Sequence, residues 1–269
     1  MPQSNQPAPR SKTIPPATPL QPRRRAILVG ASSGIGAALG RLLASEGYAV
    51  ALLGPRQEAV QAVCEEINQQ NGGIRALSYQ HDVSDTKAIP GLLLQIISDL
   101  GGLDLLVYVA GVNLPPGLEH LDFEADRKMM EINALGAMAW MTPASELFKG
   151  MRGGTLAGIS SVAGDRGRVG NPGYNTSKAA LSTYLEALRN RLSRHGVHVL
   201  TIKPGFVKTE MLKTAQGSTP FAIEPERAAA DIYKAVRGRK QVVYTPGIWH
   251  WIMLLIQHIP SFIFRRMTF

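Results

Sequence analysis

The chain has 269 residues, 45% of them hydrophobic and 18% charged, which supplies enough apolar surface for a core and excludes a disordered chain. A single cysteine, Cys64, excludes a disulfide framework, and the six histidines lack zinc-binding spacing, so no metal is expected. The net charge of +9 lies at the two ends, +5 in residues 1–25 and +6 in residues 232–269, and the near-neutral remainder argues against nucleic-acid binding.

Residues 1–24 are predicted to form a disordered, proline-rich, basic tail. Seven prolines fall within the first 22 residues, and proline removes backbone donors and fixes φ. The segment lacks the apolar run of a signal peptide, and its prolines disfavour the amphipathic helix of a transit peptide. We therefore expect a cytoplasmic protein.

From residue 25 onward, short apolar runs alternate with helical stretches. The runs are apolar throughout rather than at every second position, which is typical of parallel strands covered on both faces. The predicted strands are 26–29, 49–53, 76–79, 103–109, 156–159, 197–202 and 242–244. The clearest helices are 36–46, 57–70, 123–148 and 174–195. This pattern predicts one α/β domain over residues 25–246, built on a doubly wound, parallel, seven-stranded sheet.

A glycine-rich turn follows the first predicted strand and opens the first helix. The first glycine allows a tight turn, the second lets the backbone approach a pyrophosphate, and the third permits close helix–strand packing. The first amides of the helix would face an anion with the positive end of the helix dipole. The predicted dinucleotide-binding turn comprises Gly30, Ser32, Ser33, Gly34, Ile35 and Gly36.

The end of the second strand predicts which dinucleotide is bound. An acid usually holds the ribose 2′-hydroxyl of NAD at this point, but the segment after Leu53 contains none. Arg56 and the two turn serines would instead suit a 2′-phosphate. The sequence therefore favours NADP(H), with NAD(H) as the alternative; in that case Arg56 would only cap the surface of the next helix.

Tyr174 and Lys178 form the strongest chemical signal. Their i, i+4 spacing places both side chains on one helix face, and a neighbouring cation lowers the pKa of a phenol toward the working range of an acid–base catalyst. Ser161 lies just past the fifth strand, where a hydroxyl would face the same crevice as the cofactor. It would stabilise negative charge on a carbonyl oxygen.

These motifs, in this order and spacing, resemble the short-chain dehydrogenase/reductase family across residues 25–246. The resemblance implies a Rossmann fold, and it places the family's catalytic groups on Asn133, Ser161, Tyr174 and Lys178. Tyr174 and Lys178 would also contact the cofactor. The other cofactor-binding positions that it implies are Asp82, Val83, Ala110, Gly111, Pro204, Gly205, Val207 and Thr209.

The resemblance further implies hydride transfer between a nicotinamide and a carbonyl or carbinol carbon. Tyr174 would protonate the carbonyl oxygen, Ser161 would orient it, Lys178 would hold the cofactor ribose, and Asn133 would position a relay water. Homo-oligomers are typical of such enzymes. The chain departs from the family pattern at Tyr108–Val109, where two asparagines are usual, and at Val29, where threonine is usual; both changes remove hydrogen bonds that link strands.

A C-terminal extension, residues 247–269, is predicted to be an apolar helix. Its segment 247–264 carries no Asp, Glu, Lys or Arg and is followed by Arg265 and Arg266. It is too short, and too interrupted by Pro260, to span a bilayer. Trp249, Trp251 and the flanking arginines favour peripheral contact with the inner face of a membrane, while packing on the core or across a dimer interface remains open.

The sequence as a whole predicts an NADP(H)-dependent carbonyl reductase that acts on a small hydrophobic or lipid-linked ketone. Segments 161–168 and 258–266 are similar to keto-reductases that act on a decaprenylphosphoryl-linked 2-keto sugar, which implies the lipid-linked form. An NAD-dependent dehydrogenase working oxidatively, or a nucleotide-binding protein without turnover, are the alternatives.

Overall fold

The structure is a computed structural model that describes residues 24–117, 119–214 and 218–267. The predicted tail therefore lies outside the described residues except for Arg24, which begins the first strand.

Seven strands form one sheet in which every neighbouring pair is parallel. They are β1 (Arg24–Val29), β2 (Tyr48–Gly54), β3 (Ala76–Gln80), β4 (Leu105–Tyr108), β5 (Thr155–Ile159), β6 (His198–Pro204) and β7 (Val242–Thr245). The spatial order β3-β2-β1-β4-β5-β6-β7 reverses direction beside β1, where Leu28 pairs with Leu52 on one side and Val107 on the other. Crevices at such reversals are where open α/β sheets bind ligands. The predicted doubly wound sheet is confirmed.

The crossover helices cover both faces of this sheet. Those up to the last strand are α1 (Gly34–Ser45), α2 (Gln57–Gln70), α3 (Ile89–Leu100), α4 (Phe123–Met130), α5 (Gly136–Met151), α6 (Pro172–Leu192) and α7 (Pro225–Arg237). The prediction of one helix over 123–148 was wrong in detail, because a π-helical turn at Glu131–Leu135 separates α4 from α5. Such a turn inserts wider i→i+5 geometry into the helix.

Two apolar layers lie on opposite faces of the sheet. Ile27 and Val29 pack into one layer, with Trp140 and Phe148 of α5. Leu28 packs into the other, with the residues of α1 and α7. Successive strand side chains point to opposite faces, so a strand covered on both sides must be apolar at every position. This is why the strands read as unbroken apolar runs.

The C-terminal extension forms two short helices, α8 (Ile248–His258) and α9 (Ser261–Phe264). The single helix predicted there is broken at Pro260, which lacks the amide that a continuing helix would need. Trp249 and Met253 are buried, with 8% and 3% of their surfaces exposed, against Val162, which follows β5. No helix in the described part of the chain is long and apolar enough to cross a membrane.

Candidate active site

The glycine-rich turn follows β1, where the strand order of the sheet reverses, and it is hydrogen-bonded to the end of β2. Gly30 and Ala31 donate their amides to the Leu53 carbonyl, at 2.9 and 2.8 Å. Gly30 has a φ of +96°, and a Cβ there would lie 2.4 Å from the Ala110 nitrogen. A side chain at this position would thus face both an unfavourable φ and a backbone clash, so the turn requires glycine.

The amino end of α1 fits an anion. Ser33 is its N-cap but makes no side-chain capping bond to a described residue, so amides of the first turn remain available to a ligand. A Cβ on Gly36 would lie 2.2 Å from the Gly30 carbonyl oxygen. The third glycine is therefore what lets the helix start this close to the strand. An open cradle of this kind suits the pyrophosphate of a dinucleotide.

A cleft of about 1070 Å³ runs from this turn across the carboxyl ends of the strands. Two predicted site residues, Asn133 and Arg56, do not line it. Arg56 is exposed at the N-cap of α2 and makes no side-chain capping bond to a described residue. The predicted residues that do line the cleft are Gly30, Ser32, Ser33, Gly34, Ile35, Gly36, Asp82, Val83, Ala110, Gly111, Ser161, Tyr174, Lys178, Pro204, Gly205, Val207 and Thr209.

Tyr174 and Lys178 project from the first turns of α6 toward the end of β5. Asn171 caps this helix, its Oδ1 accepting from the Tyr174 amide at 3.0 Å. The Lys178 ammonium donates to the Ile159 carbonyl at 2.9 Å and lies 5.7 Å from the centre of the Tyr174 ring. Ser161 is buried beside them, and its Oγ accepts from the Ala163 amide at 3.1 Å. The structure thus brings these three predicted catalytic side chains together, and Asn133 adjoins them, since a Cβ on Gly111 would lie 3.1 Å from both Asn133 Oδ1 and Lys178 Nζ.

Burial controls the ionisation of this group. It raises the pKa of Tyr174, and the Ser161 hydroxyl and the Arg168 charge only partly offset that rise. Burial also lowers the pKa of Lys178 to about 8. The expectation that the lysine would lower the phenol pKa is therefore not met in the protein alone, because removal from water disfavours both charged forms.

Asn133 lies behind the cleft in the π-helical turn and is fully buried. Its Oδ1 accepts from the Val112 amide at 2.8 Å, and its Nδ2 donates to the Val112 carbonyl at 3.0 Å and to Ser177 Oγ at 2.9 Å. The side chain therefore ties the loop after β4 to α6. This arrangement fits a positioning role for the amide group.

Tyr108 occupies the first of the two positions where the family usually has asparagine. Its hydroxyl donates to the Ile132 carbonyl at 2.5 Å, inside the π-helical turn. The departure thus replaces links between strands with a buried link between β4 and the segment that carries Asn133.

Ser160 helps to position the site, although the sequence did not specifically indicate this role. Its Oγ donates to the Lys178 carbonyl at 2.8 Å and lies 2.7 Å from Ser182 Oγ. These bonds fix α6 against the end of β5 and so place Lys178. The only sequence signal was its position directly before Ser161.

The C-terminal extension forms one wall of the cleft, which the sequence did not indicate. Trp249 packs directly on Gly205, where a Cβ would lie 1.9 Å from the indole nitrogen. The Phe206 and Phe221 rings lie edge-on to Trp249, with centroids at 5.8 and 6.3 Å. Ile252, Met253 and Ile256 of α8 also line the cleft. This wall of the cleft is therefore largely apolar.

Comparison with known proteins agrees with this architecture. The profile of the short chain dehydrogenase family matches residues 24–219. An uncharacterised oxidoreductase of Myxococcus xanthus is 36% identical over 222 residues, covering 82% of this chain and 87% of that protein. The carbonyl reductase family member 4 of Xenopus laevis is 31% identical over 182 residues, covering 68% and 75%.

Solved structures show the same fold. A short-chain type dehydrogenase/reductase from Mycobacterium marinum superimposes with a TM-score of 0.73 at 25% identity, covering 82% of this chain and 93% of the other. ElxO with NADP bound gives a TM-score of 0.75 at 22% identity, covering 82% and 96%. With the family profile, the cradle at α1 and the Ser161–Tyr174–Lys178 group, these findings lead to one conclusion: the chain belongs to the short-chain dehydrogenase/reductase family and is an NAD(P)-dependent oxidoreductase acting on CH–OH or C=O groups.

Proposed function

We propose that the protein is an NADP(H)-dependent reductase of a hydrophobic or lipid-linked ketone. The observation that carries the proposal is one continuous cleft that holds the glycine cradle, the Ser161–Tyr174–Lys178 group and the apolar wall of α8. A related protein is named carbonyl reductase, which agrees with this reaction class. The same side chains would serve oxidation of an alcohol, so the direction is part of the proposal.

Each side chain has a task that follows from its position. The bound nicotinamide cofactor supplies the hydride. Tyr174 donates a proton to the carbonyl oxygen, and Ser161 donates a hydrogen bond to the same oxygen as charge develops there. Lys178 holds the ribose hydroxyls of the cofactor and supports the phenolate. Asn133 acts through its bonds to Val112 and Ser177 and keeps the loop and α6 in register.

Replacement of Tyr174 by Phe tests the catalytic assignment. We expect turnover to fall by about 10² to 10⁴-fold, because a general acid contributes that much, while cofactor affinity stays within about twofold. Turnover is followed by nicotinamide absorbance with a long-chain ketone, and affinity by fluorescence titration. Tyr184→Phe is the matched control, since Tyr184 lies on the same helix and its hydroxyl contacts Thr142 at 3.2 Å. A Tyr174→Phe enzyme with activity within about tenfold of wild type would refute the assignment.

The NADP preference rests on charge at the end of β2. Residues 54–56, which follow Leu53, contain no acid, and Arg56 is exposed next to Pro55, which lines the cleft. Arg56→Ala is expected to weaken NADPH more than NADH by about 1.5–3 kcal/mol, since only NADPH offers a phosphate to the guanidinium. Lys87→Ala, which removes another exposed cation, controls for net charge. Equal loss for both cofactors would contradict the preference.

We also propose that the outer face of α8 and α9 binds the surface of an anionic membrane. This face exposes Trp251 (66%), Leu255 (71%) and Phe262 (60%), while the opposite face of α8 packs on the protein. Arg265 and Arg266 lie exposed at its end, and among described residues 232–267 no acid is present to repel lipid phosphate. Apolar burial and cationic attraction would therefore act together.

Vesicle sedimentation tests this contact with the full chain. Wild type should bind phosphatidylglycerol vesicles, and less so at high salt because charge attraction is screened. Trp251→Ser with Leu255→Ser should abolish binding, whereas Leu121→Ser, at an 83% exposed leucine elsewhere, should not. If wild type ignores vesicles and the double variant changes the mass in light scattering, the face is an interface between copies of this chain.

A further inference from the structure

The loop after β5 connects the core, the C-terminal wall and the active site. Asp165 has a side chain only 1% exposed, and it accepts from Lys203 Nζ at 2.5 Å and Tyr244 Oη at 2.8 Å. Arg166 donates to the Ile256 and Gln257 carbonyls at the end of α8. The loop is therefore anchored on both sides, and the position of its next charged residue is well defined.

That residue is Arg168, which lines the cleft beside Tyr174. Its guanidinium is half-buried and makes no ion pair or hydrogen bond with any residue that the structure describes. Burial lowers its pKa, and the Tyr174 hydroxyl is the nearby group that favours its charge. A charged guanidinium that is partly removed from water and has no anionic partner destabilises the folded protein. A negatively charged ligand in the cleft would therefore stabilise Arg168.

No described carboxylate in the cleft fills that role. Of the residues that line it, only Asp82 and Glu210 are acids. Asp82 follows β3, which is separated from β5 by three strands of the sheet. Glu210 is paired with Lys213 at 2.7 Å.

A second hydrogen-bond donor lies on the same side of the cleft. Asn113 lines the cleft, and its Oδ1 accepts from Asn171 Nδ2 at 2.7 Å. The side-chain nitrogen of Asn113, Nδ2, has no acceptor among the described residues. Asn171, which holds this side chain, lies three positions after Arg168. A cation and a neutral donor are thus available to one ligand group.

We propose that Arg168 binds an anionic group of the substrate, a carboxylate or a phosphate, with Asn113 as the second donor. The substrate is then a ketone that carries this group near its reacting carbonyl and an apolar remainder along Trp249 and Met253. The inference rests on the proposed reductase function and narrows its substrate class. The cradle for the cofactor pyrophosphate lies at the amino end of α1, directly after β1, whereas Arg168 lies between β5 and α6, so we assign the anion at Arg168 to the substrate.

Binding without turnover gives the first test. The probes are a long-chain γ-keto acid, its neutral primary amide, and the phosphate monoester of a long-chain hydroxyketone, titrated by tryptophan fluorescence without cofactor. Wild type should bind at least one anionic probe about 10- to 100-fold more tightly than the amide, as expected for a hydrogen-bonded charge pair. The stronger anionic probe identifies carboxylate or phosphate as the preferred group.

Variants then assign the preference to Arg168. Arg168→Gln should remove it without changing affinity for the amide, and Arg168→Lys should restore part of it because the charge remains. Lys208→Gln removes a cation that is exposed and paired with Glu224, and it should leave the preference intact. In steady-state kinetics, Arg168→Gln should raise KM about 10- to 100-fold for the anionic ketone but not for the amide.

Two results would overturn the inference. Equal wild-type affinity for the acid, the phosphate and the amide would show that no anion is recognised. An equal loss of kcat for charged and neutral ketones in Arg168→Gln, with a raised apparent pKa of activity, would show that Arg168 only assists Tyr174. If the anion preference is present but no ketone is reduced, the proposed reaction is wrong and the anion site stands.

Discussion

Replacement of Lys178 by Met is expected to stabilise the protein while it abolishes most activity. The ammonium is buried, and burial lowers its pKa from 10.5 to about 8. A pKa displaced in this direction means that the fold disfavours the charged form. At neutral pH the lysine is mostly charged, so the cofactor-free protein carries this unfavourable term.

Two contributions set the expected change in the free energy of unfolding: the burial of the ammonium and its hydrogen bond. A displacement from 10.5 to about 8 corresponds to about 3 kcal/mol, at about 1.4 kcal/mol for each unit. The variant also leaves the Ile159 carbonyl without the donor that now lies at 2.9 Å, which costs about 1–1.5 kcal/mol. The expected net gain in the free energy of unfolding is about 2 kcal/mol, or about 4–8 °C in Tm for a domain of this size.

The pH dependence gives the sharper test. The folded protein loses the Lys178 proton near pH 8, whereas the unfolded chain keeps it to pH 10.5. The unfolded state therefore binds more protons between these values, and wild-type stability rises with pH across that window. The advantage of Lys178→Met should be full below pH 8 and should shrink as the folded-state lysine loses its proton. At pH 10.5 the variant should be the less stable protein, because the burial penalty on the wild-type lysine has nearly gone and only the lost hydrogen bond to Ile159 remains.

Urea unfolding without cofactor, at pH 7 and at pH 10, measures this difference for wild type and Lys178→Met. Lys208→Met, at an exposed lysine paired with Glu224, should change stability by less than about 1 kcal/mol at either pH. A Lys178→Met protein that is less stable than wild type at pH 7 would contradict the reasoning.

Two further substitutions test how the cleft is held together. Gly205→Ala would place a Cβ 1.9 Å from the indole nitrogen of Trp249, so α8 must shift. We therefore expect a lower Tm and a higher KM for long-chain ketones. Gly167→Ala is the control, because nothing lies within 4 Å of a Cβ at that position. Asp165→Asn leaves the Lys203 ammonium without its anion at 2.5 Å, and because that charge is largely buried we expect a loss of about 3 kcal/mol in urea unfolding. Unchanged stability would show that solvent already compensates Lys203.

The fold was predictable from the sequence because its signals are local. An apolar run such as 49–53 reports a strand covered on both faces, and the structure places it in β2 (Tyr48–Gly54). The glycine-rich turn was equally predictable, because the conformation that requires glycine at position 30 is part of a local strand–turn–helix unit. The i, i+4 spacing of Tyr174 and Lys178 needed only helix geometry.

Other features depend on partners that are distant along the chain. The sequence did not predict that Asn133 is a buried clamp, because Ser177 is 44 positions away. It also did not predict the raised pKa of Tyr174, since that comes from how many atoms surround the phenol rather than from Lys178 alone. The break at Pro260 was visible, but the face of α8 that turns inward was not.

The sequence by itself determined the doubly wound sheet, the dinucleotide turn and the kinds of catalytic side chain, because each follows from short-range geometry repeated along the chain. Only the tertiary structure decided that Arg166 reaches carbonyls 90 and 91 positions away at the end of α8, and that Arg168 enters the cleft without a carboxylate partner among the described residues. Those contacts depend on how separate elements pack. An apolar pattern in the sequence indicates that a face is buried, but it does not indicate which distant part of the chain covers that face.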